Sequence, residues 1–535
     1  MAMKALLLLL LLVPQGDSVV EKIVRESQEA SQVMQHLDHL TNKIGPRLTS
    51  STRLTQACEW TKSEFERWGL KARLEEWGTF PVGFDRGPWS ARMNEPEEMD
   101  LTVGTNAWMP GTNGPVKGAA ILAPTTDEEL AKAKPDLKGA WVISNARGPE
   151  KYQAAYDEAG IAGLLRSAPR ELILTGGRSS IRWEELPKRV VVSIVASQFQ
   201  KITGFLKEGK KVVLTIDLKN EFKQGPIKLY NVIADLVGSE KPDEYVIVGG
   251  HIDSWDGATG TTDNGTGVST TLEAARLLAK AGAKPKRTIR FMLWSGEEQG
   301  LLGSRAWIKA HPEELKKISA VLVHDGGTNY VSGISTTEAI APHFEKVFAP
   351  VLNLDGEMKF RINRVKGLPR GIGSDHDSFL GAGVPGFFWQ QSKTATKGQT
   401  YTHEHHTQHD LYAAAIPEFQ RHTSMIVAVG AWGIANLDAL LPREGLTAAP
   451  SGAPGGDRRL LGVQCDDDLT ILDITAGSPA ERAGLKAGDK ILKIAGQPLP
   501  DMGKLREEIQ KAPLETKVVV FREGKELELS VTFPK

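Results

Sequence analysis

The chain has 535 residues, 40% of them hydrophobic and 24% charged, which is too long for one small core and predicts two to four globular domains. A formal net charge of −1, with no long basic run, argues against a nucleic-acid partner. Two cysteines, Cys58 and Cys465, lie too far apart to suggest a disulfide framework or a Cys-x-x-Cys metal site, and both read as inert or buried thiols.

Residues 1–18, MAMKALLLLLLLVPQGDS, place Lys4 before a short apolar run and end in the small residues Gly16, Asp17 and Ser18. This reads as a secretory signal peptide, too short to span a bilayer, with an uncleaved N-terminal anchor as the alternative. No other run reaches membrane length, so no stable span is expected after cleavage, and the protein is expected to be secreted or periplasmic. Residues 19–43 carry Val20, Ile23, Val24, Val33, Met34 and Leu37 at helical spacing. Gly45-Pro46 stops that helix, Ser50-Ser51 opens a second over 55–68, and 71–77 can form a strand. Residues 78–110, rich in Gly, Pro and Trp, read as loops and short strands. Over 112–222 the strands VKGAAILAP, KGAWVIS, VVVSIVAS and KVVLTIDL surround the helix YQAAYDEAG, which predicts a compact α/β insert between two parts of a larger domain, 19–111 and 223–440.

In that second part, strands at 231–236, 244–249, 288–294, 318–323 and 386–389 alternate with helices at 268–281 and 416–437. This predicts an α/β fold: a mixed, mostly parallel sheet sandwiched by helices. Residues 441–457, LPREGLTAAPSGAPGGD, read as a flexible linker. Residues 458–535 form a separate β-rich module with a helix over 502–511.

The stretch VIVGGHIDSWDGATGTTDNGTG, residues 246–267, ends an apolar strand in glycines and then presents His251, Asp253 and Asp263. Glu298, Asp325 and His406 fall in comparable positions downstream. Each alone has an ordinary reading: a strand-ending His is a polar cap, and Glu297-Glu298 is an acidic helix start favoured by the dipole. Together they differ, because four of the five follow or end separate strands of one sheet, the edge where ligands bind in α/β folds. Imidazole and carboxylate donors suit zinc, or cobalt or manganese in its place. A carboxylate shared by two metals is the usual construction of a two-metal hydrolase, and Asp263 is the candidate bridge.

The strings GGHIDS, TDNGTG, SGEEQGLLGS, HDGG, SDHDSF and HHTQHD, in this order and behind IGPRLTSS, resemble the M28 family of dinuclear zinc peptidases, most of all its carboxypeptidase Q-like branch. The insert resembles a protease-associated (PA) domain. The string SPAERAGLKAGDKILKIAG makes residues 458–535 similar to a PDZ domain. The resemblance implies the zinc exopeptidase fold and two Zn2+ per chain, with His251 and Asp325 on one, Glu298 and His406 on the other, and Asp263 between them. It also implies a cis bond between Asp263 and Asn264, Asp253 accepting the other ring N–H of His251, and Glu297 as general base. His403, His405 and His409 crowd His406. The family's spacing of His-Thr to an Asp, met by His406-Thr407 and Asp410, selects His406, although Leu411 stands where the family commonly has Thr. His376, in SDHDSF, either faces the site to stabilise an oxyanion or is a hydrogen-bonded loop residue. In the PDZ-like module, Leu461, Gly462 and Val463 occupy the carboxylate-binding loop, which implies peptide or protein C-termini as partners.

The leading reading is therefore a secreted metallo-exopeptidase acting on peptides or dipeptides, either an aminopeptidase or a dipeptidase. One alternative is a zinc-dependent glutaminyl cyclase, which uses a single metal. Another is an inactive receptor- or adaptor-like protein whose PA and PDZ modules bind partners. A homodimer is compatible with all three.

Overall fold

A computed structural model describes residues 18–144, 150–177, 179, 181–352, 354, 356–392, 401–446, 460–465, 469–474, 478–486, 488–499, 502–522 and 524–533. The expected signal peptide, apart from Ser18, and most of the expected linker lie outside them. The chain divides into two units, Met1–Thr447 and Ala448–Lys535.

The first unit is built on one 14-stranded sheet. Its strands are β1 (Lys71–Glu95), β2 (Val116–Leu122), β3 (Trp141–Ile143), β4 (Gly163–Ser167), β5 (Val191–Ile194), β6 (Val213–Leu236), β7 (Lys241–His251), β8 (Arg287–Trp294), β9 (Ile318–Val323), β10 (Val331–Thr337), β11 (Arg361–Val365), β12 (Gly386–Gln391) and two two-residue strands. The order is β11-β10-β12-β9-β7-β8-β6-β2-β3-β4-β5, with β1 paired to β6 beside this path. At its centre, β8, β7, β9 and β12 run parallel. Their carboxyl ends therefore share one edge.

The expected strands at 288–294 and 318–323 appear as β8 and β9, because unbroken apolar runs can be buried on both faces. The region 78–110 departs from expectation. Instead of loops, β1 continues through it to Glu95, antiparallel to β6, with register shifts at Glu76/Gly78, Phe80/Val82, Arg86/Trp89 and Met93/Glu95. Bulges let Gly and Pro sit inside a paired strand, which local composition cannot show. The expected strands KVVLTIDL and 231–236 are likewise one strand, β6, which runs straight through the boundary drawn at 222/223. Its first half pairs with β2 and its second with β8. The insert's own core, around Trp141, Ile143, Leu165, Val192 and Ile216, is thus tied to the main core by a continuous ribbon.

The expected helix 19–43 is broken into Val19–Ala30, Val33–Asp38 and a wider turn at His39–Ile44. Ser18 and Glu21 cap its start reciprocally. At the break, the Gln32 N–H donates to the buried Glu273 carboxylate at 3.0 Å. That carboxylate also pairs with Arg276, one turn along the buried helix Thr266–Lys280. Strands β10 and β11 lack clean alternation and were not foreseen.

The second unit packs Leu461, Ile471, Ile491, Leu505, Val518 and Val531 in one core. It carries the expected helix at Met502–Lys511. Val463 opens a short strand, Val463–Cys465, and pairs with Ile474. Gly462 before it has φ +80°, and Leu461, 2% exposed, is pinned through its carbonyl by the Ala480 N–H at 2.9 Å.

Gly249, in the middle of the parallel strands, has no room for a side chain. A Cβ there would sit 2.1 Å from the Met292 carbonyl oxygen. Gly249→Ala is expected to lower stability by about 1–3 kcal/mol through overpacking, read as a lower urea midpoint. An unchanged midpoint would contradict this packing.

Candidate metal centre

His251 is the last residue of β7, Asp325 follows the end of β9, and Glu297 and Glu298 follow the end of β8. Asp263 sits in the turn Thr261–Gly265, which leads into the buried helix Thr266–Lys280, and its bond to Asn264 is cis, as the resemblance implied. His406 lies in a loop after the short helix Tyr401–Glu404. The structure brings all five candidate ligands together.

Asp263 stands between two imidazoles. Its Oδ1 is 2.9 Å from His251 Nε2 and its Oδ2 is 3.0 Å from His406 Nε2. Each imidazole meets a second carboxylate, His251 with Asp325 Oδ1 at 3.2 Å and His406 with Glu298 Oε2 at 3.1 Å. Donors bound about 2.0–2.1 Å from one zinc ion lie roughly 3.3 Å apart on a tetrahedron. In both triplets the imidazole-to-carboxylate distances come near that spacing, and His251, Asp263 and Asp325 group as donors for a divalent ion. His405 is a competitor, its Nε2 being 3.3 Å from Asp263 Oδ2, and among the described residues Asp263, His405 and His406 also group as donors.

The supporting contacts refine the expected role of Asp253. The His251 Nδ1 lies 3.0 Å from the main-chain carbonyl of Asp253 but 3.6 Å from its carboxylate. The carboxylate instead accepts the Glu297 and Glu298 N–H groups, both at 3.3 Å, and the Thr49 hydroxyl at 2.8 Å. Asp253 thus ties three chain segments together. Arg47, fully buried, donates to the carbonyls of Ile252 (2.8 Å), Gly45 (3.2 Å), Thr259 (3.0 Å) and Gly260 (2.8 Å). Asp410 accepts from the N–H groups of Thr262 and Asp263. Sequence reasoning left Arg47 and Asp410 without a structural role. An Arg in IGPRLTSS looks like any surface Arg, and only burial shows it to be a hub.

His376 is not where its expected role requires. It is 1% exposed, opens the helix His376–Gly381 and packs against the Phe388 ring at 5.2 Å. Phe388 and Ser374, not His376, line the cavity over the site. That cavity is about 710 Å³ and also exposes Glu297, Arg305, Gln391 and Tyr401. Arg305, Gln391 and Tyr401 carried no motif signal. The Glu297 carboxylate faces the cavity and makes no hydrogen bond or ion pair among the described residues.

Burial and crowded charge set the protonation of the centre. Burial pushes Glu297 well above the usual carboxylate range, reinforced by Asp325 and Glu298. Burial likewise lifts Glu298 to about 7, with Asp263 adding to the rise and His406 opposing it. Burial works against charging His406, but Asp263 and Glu298 overcome it and raise it to about 10. Burial also opposes ionisation of Asp263, yet hydrogen bonds from His251 and His406 hold it well below the ordinary value. Protons here occupy places that cations would take.

Residues 231–430 match peptidase family M28, and residues 470–522 match a PDZ domain. Carboxypeptidase Q of Mus musculus is 26% identical over 427 residues, covering 77% of this chain and 87% of that protein. Carboxypeptidase Q of Homo sapiens is 28% identical over 423 residues, covering 76% and 85%. Among solved structures, a peptidase M28 precursor from Shewanella amazonensis is similar with a TM-score of 0.55 and 26% identity, over 79% of this chain and 97% of that one. A zinc aminopeptidase from Bacillus subtilis shares the fold at TM-score 0.50 and 17% identity, over 78% and 98%.

Glu298 and Asp410 both titrate near 7 in the folded chain, lifted by burial from ordinary carboxyl values. Their contribution to stability is lost as pH rises from about 4 to about 7. That of His406 is lost from about 6.5 to about 10. Depressed Asp263 acts in the opposite sense only below about pH 4. In chelator, the melting temperature is therefore expected to fall steadily from about pH 5 to about pH 9. Added divalent metal is expected to restore more of it at the alkaline end, because binding displaces protons. A flat or rising profile in chelator would contradict these shifts.

Proposed function

We propose that this chain, whose residues 231–430 match peptidase family M28 and 470–522 a PDZ domain, is a secreted exopeptidase that hydrolyses peptide bonds with two zinc ions. The observation that carries this reading is Asp263, with one carboxylate oxygen toward each of two imidazoles and a further carboxylate beside each imidazole. His251, Asp263 and Asp325 would hold one ion, and Asp263, Glu298 and His406 the other. A zinc pair there supplies Lewis acidity to a peptide carbonyl and makes water a competent nucleophile at neutral pH.

The chain's own residues do the rest. Glu297 is the free carboxylate of the cavity, and its raised pKa suits a group that takes a proton from the attacking water and returns it to the leaving amine. Asp253 fixes the main chain under Glu297 and Glu298 and so aims both. Oxyanion stabilisation by His376 would need its ring, buried behind Phe388, to turn toward the cavity. Export is read from residues 1–18, and no helix among the described residues is long and apolar enough to cross a membrane. At the PDZ domain, Leu461, Gly462 and Val463 are the proposed loop for a peptide's terminal carboxylate.

The test is zinc content paired with hydrolysis. The full chain is expected to hold two zinc ions and to cleave dipeptides or peptides with a free amino terminus. Glu297→Gln is expected to keep both ions and lose about a hundred- to ten-thousand-fold in kcat. One ion with formation of pyroglutamate would turn the reading to a cyclase, and two ions without turnover to a binding protein. For the PDZ domain, a peptide with a free C-terminus is expected to bind at least about tenfold more tightly than its amide in a titration. Equal affinities would remove the loop assignment.

A further inference from the structure

The insert reaches the metal centre through the loop of residues 168–177, which follows β4. Both ends of its central part are anchored. Near the start, the Glu171 carboxylate accepts the Ser197 N–H at 2.8 Å and the Ser197 hydroxyl at 2.9 Å, at the head of the helix Ala196–Lys207. At the far end, the Ala107 N–H donates to the Gly176 carbonyl at 2.8 Å, and Ala107 pairs with Gly177.

Between those anchors the chain lies antiparallel against residues 406–408. The Thr175 N–H donates to the His406 carbonyl at 2.8 Å, and Leu174 bridges Thr407. Gln408 closes the contact from both sides of its amide, accepting the Ile173 N–H at 2.8 Å and donating to the Glu171 carbonyl at 2.8 Å. Thr175 also packs tightly against Gly257, where a Cβ would lie 1.7 Å from its methyl.

His406 needs such support. Unlike His251, which ends a strand, it sits in a loop with φ +56°, a left-handed conformation unfavourable for a residue with a Cβ. Its ring must nevertheless stay 3.0 Å from Asp263 and 3.1 Å from Glu298. A ligand held only by its own loop would lose affinity to backbone freedom.

We propose that the 171–175 loop of the insert is a clamp on the backbone of His406, making Thr175 and Gln408 positioning residues for the ion held by His406 and Glu298. This rests on the reading of His406 as a zinc ligand. The clamp is asymmetric: His251 and Asp325 stand on or just past central strands and, among the described residues, make no hydrogen bond to the loop. Its loss therefore weakens one ion and spares the other.

The test is chelator competition on the full chain, reading zinc per chain, with melting in chelator as a check on folding. Thr175→Pro removes the N–H, and Thr175→Ala keeps it. Gln408→Leu removes both amide bonds, and His406→Ala removes the ligand. Thr175→Pro and Gln408→Leu are each expected to weaken one of the two zinc ions about 10–100-fold and leave the other at wild-type affinity. Thr175→Ala, which keeps the N–H and loses only the packing of the methyl on Gly257, is expected to weaken that ion less than Thr175→Pro does. If His406→Ala weakens one ion while Thr175→Pro and Gln408→Leu hold both normally, the clamp is wrong. Equal weakening of both ions also overturns it, since that is general damage. If Thr175→Pro does not fold, Gln408→Leu decides. If His406→Ala leaves both ions in place, the ligand reading itself fails, and the clamp with it.

Discussion

Four carboxylates, those of Asp263, Glu297, Glu298 and Asp325, are held beside one another at a single sheet edge and largely out of water. Like charges so placed repel, and desolvation raises the cost of each. The fold meets that cost with two imidazoles, with carboxyls that burial makes harder to ionise, and, where the proposed zinc pair is bound, with two divalent ions. The geometry around Asp263 is the hinge of the arrangement, because only a carboxylate with both oxygens committed can serve two cation positions at once.

The scaffold shows how such a centre is kept in place without dense secondary structure at its rim. The parallel strands deliver His251, Asp325 and the Glu297-Glu298 pair to one edge, but the segments joining them are irregular. Buried polar side chains outside the donor set therefore carry much of the order. Arg47 gathers carbonyls from either side of the His251–Asp263 loop, Asp253 receives the main chain under the glutamates, and Asp410 holds the N–H groups of Thr262 and Asp263. Each satisfies groups that would otherwise be buried without a partner.

The insert belongs to this logic rather than standing apart from it. Its sheet is continuous with the main sheet through β6, and its loop reaches the least supported donor, His406. A domain that looks like an accessory in the sequence is, in three dimensions, part of the wall behind the centre. Arg305 is the one guanidinium among the described residues that line the cavity.

The chain by itself determined the α/β class and the buried strands β8 and β9, and it singled out the five candidate donors. Those signals are local: unbroken apolar runs bounded by turns, His or carboxylate residues past a strand, and, for His406, a short string that resembles the family's. It also carried the PDZ module, in a contiguous string. Only the tertiary structure decided that residues 78–95 extend a strand rather than loop, because bulges are tolerated where a partner strand supplies the pairing. It alone moved His376 off the cavity wall, since one turn of helix sets which way a side chain points. And it alone revealed Arg47 and Thr175, and what Asp410 binds, since their work is done through contacts with main-chain groups far away in sequence. Hydrogen bonds to backbone leave almost no mark on residue type, so a sequence records which atoms can bind a metal far better than it records what holds them still.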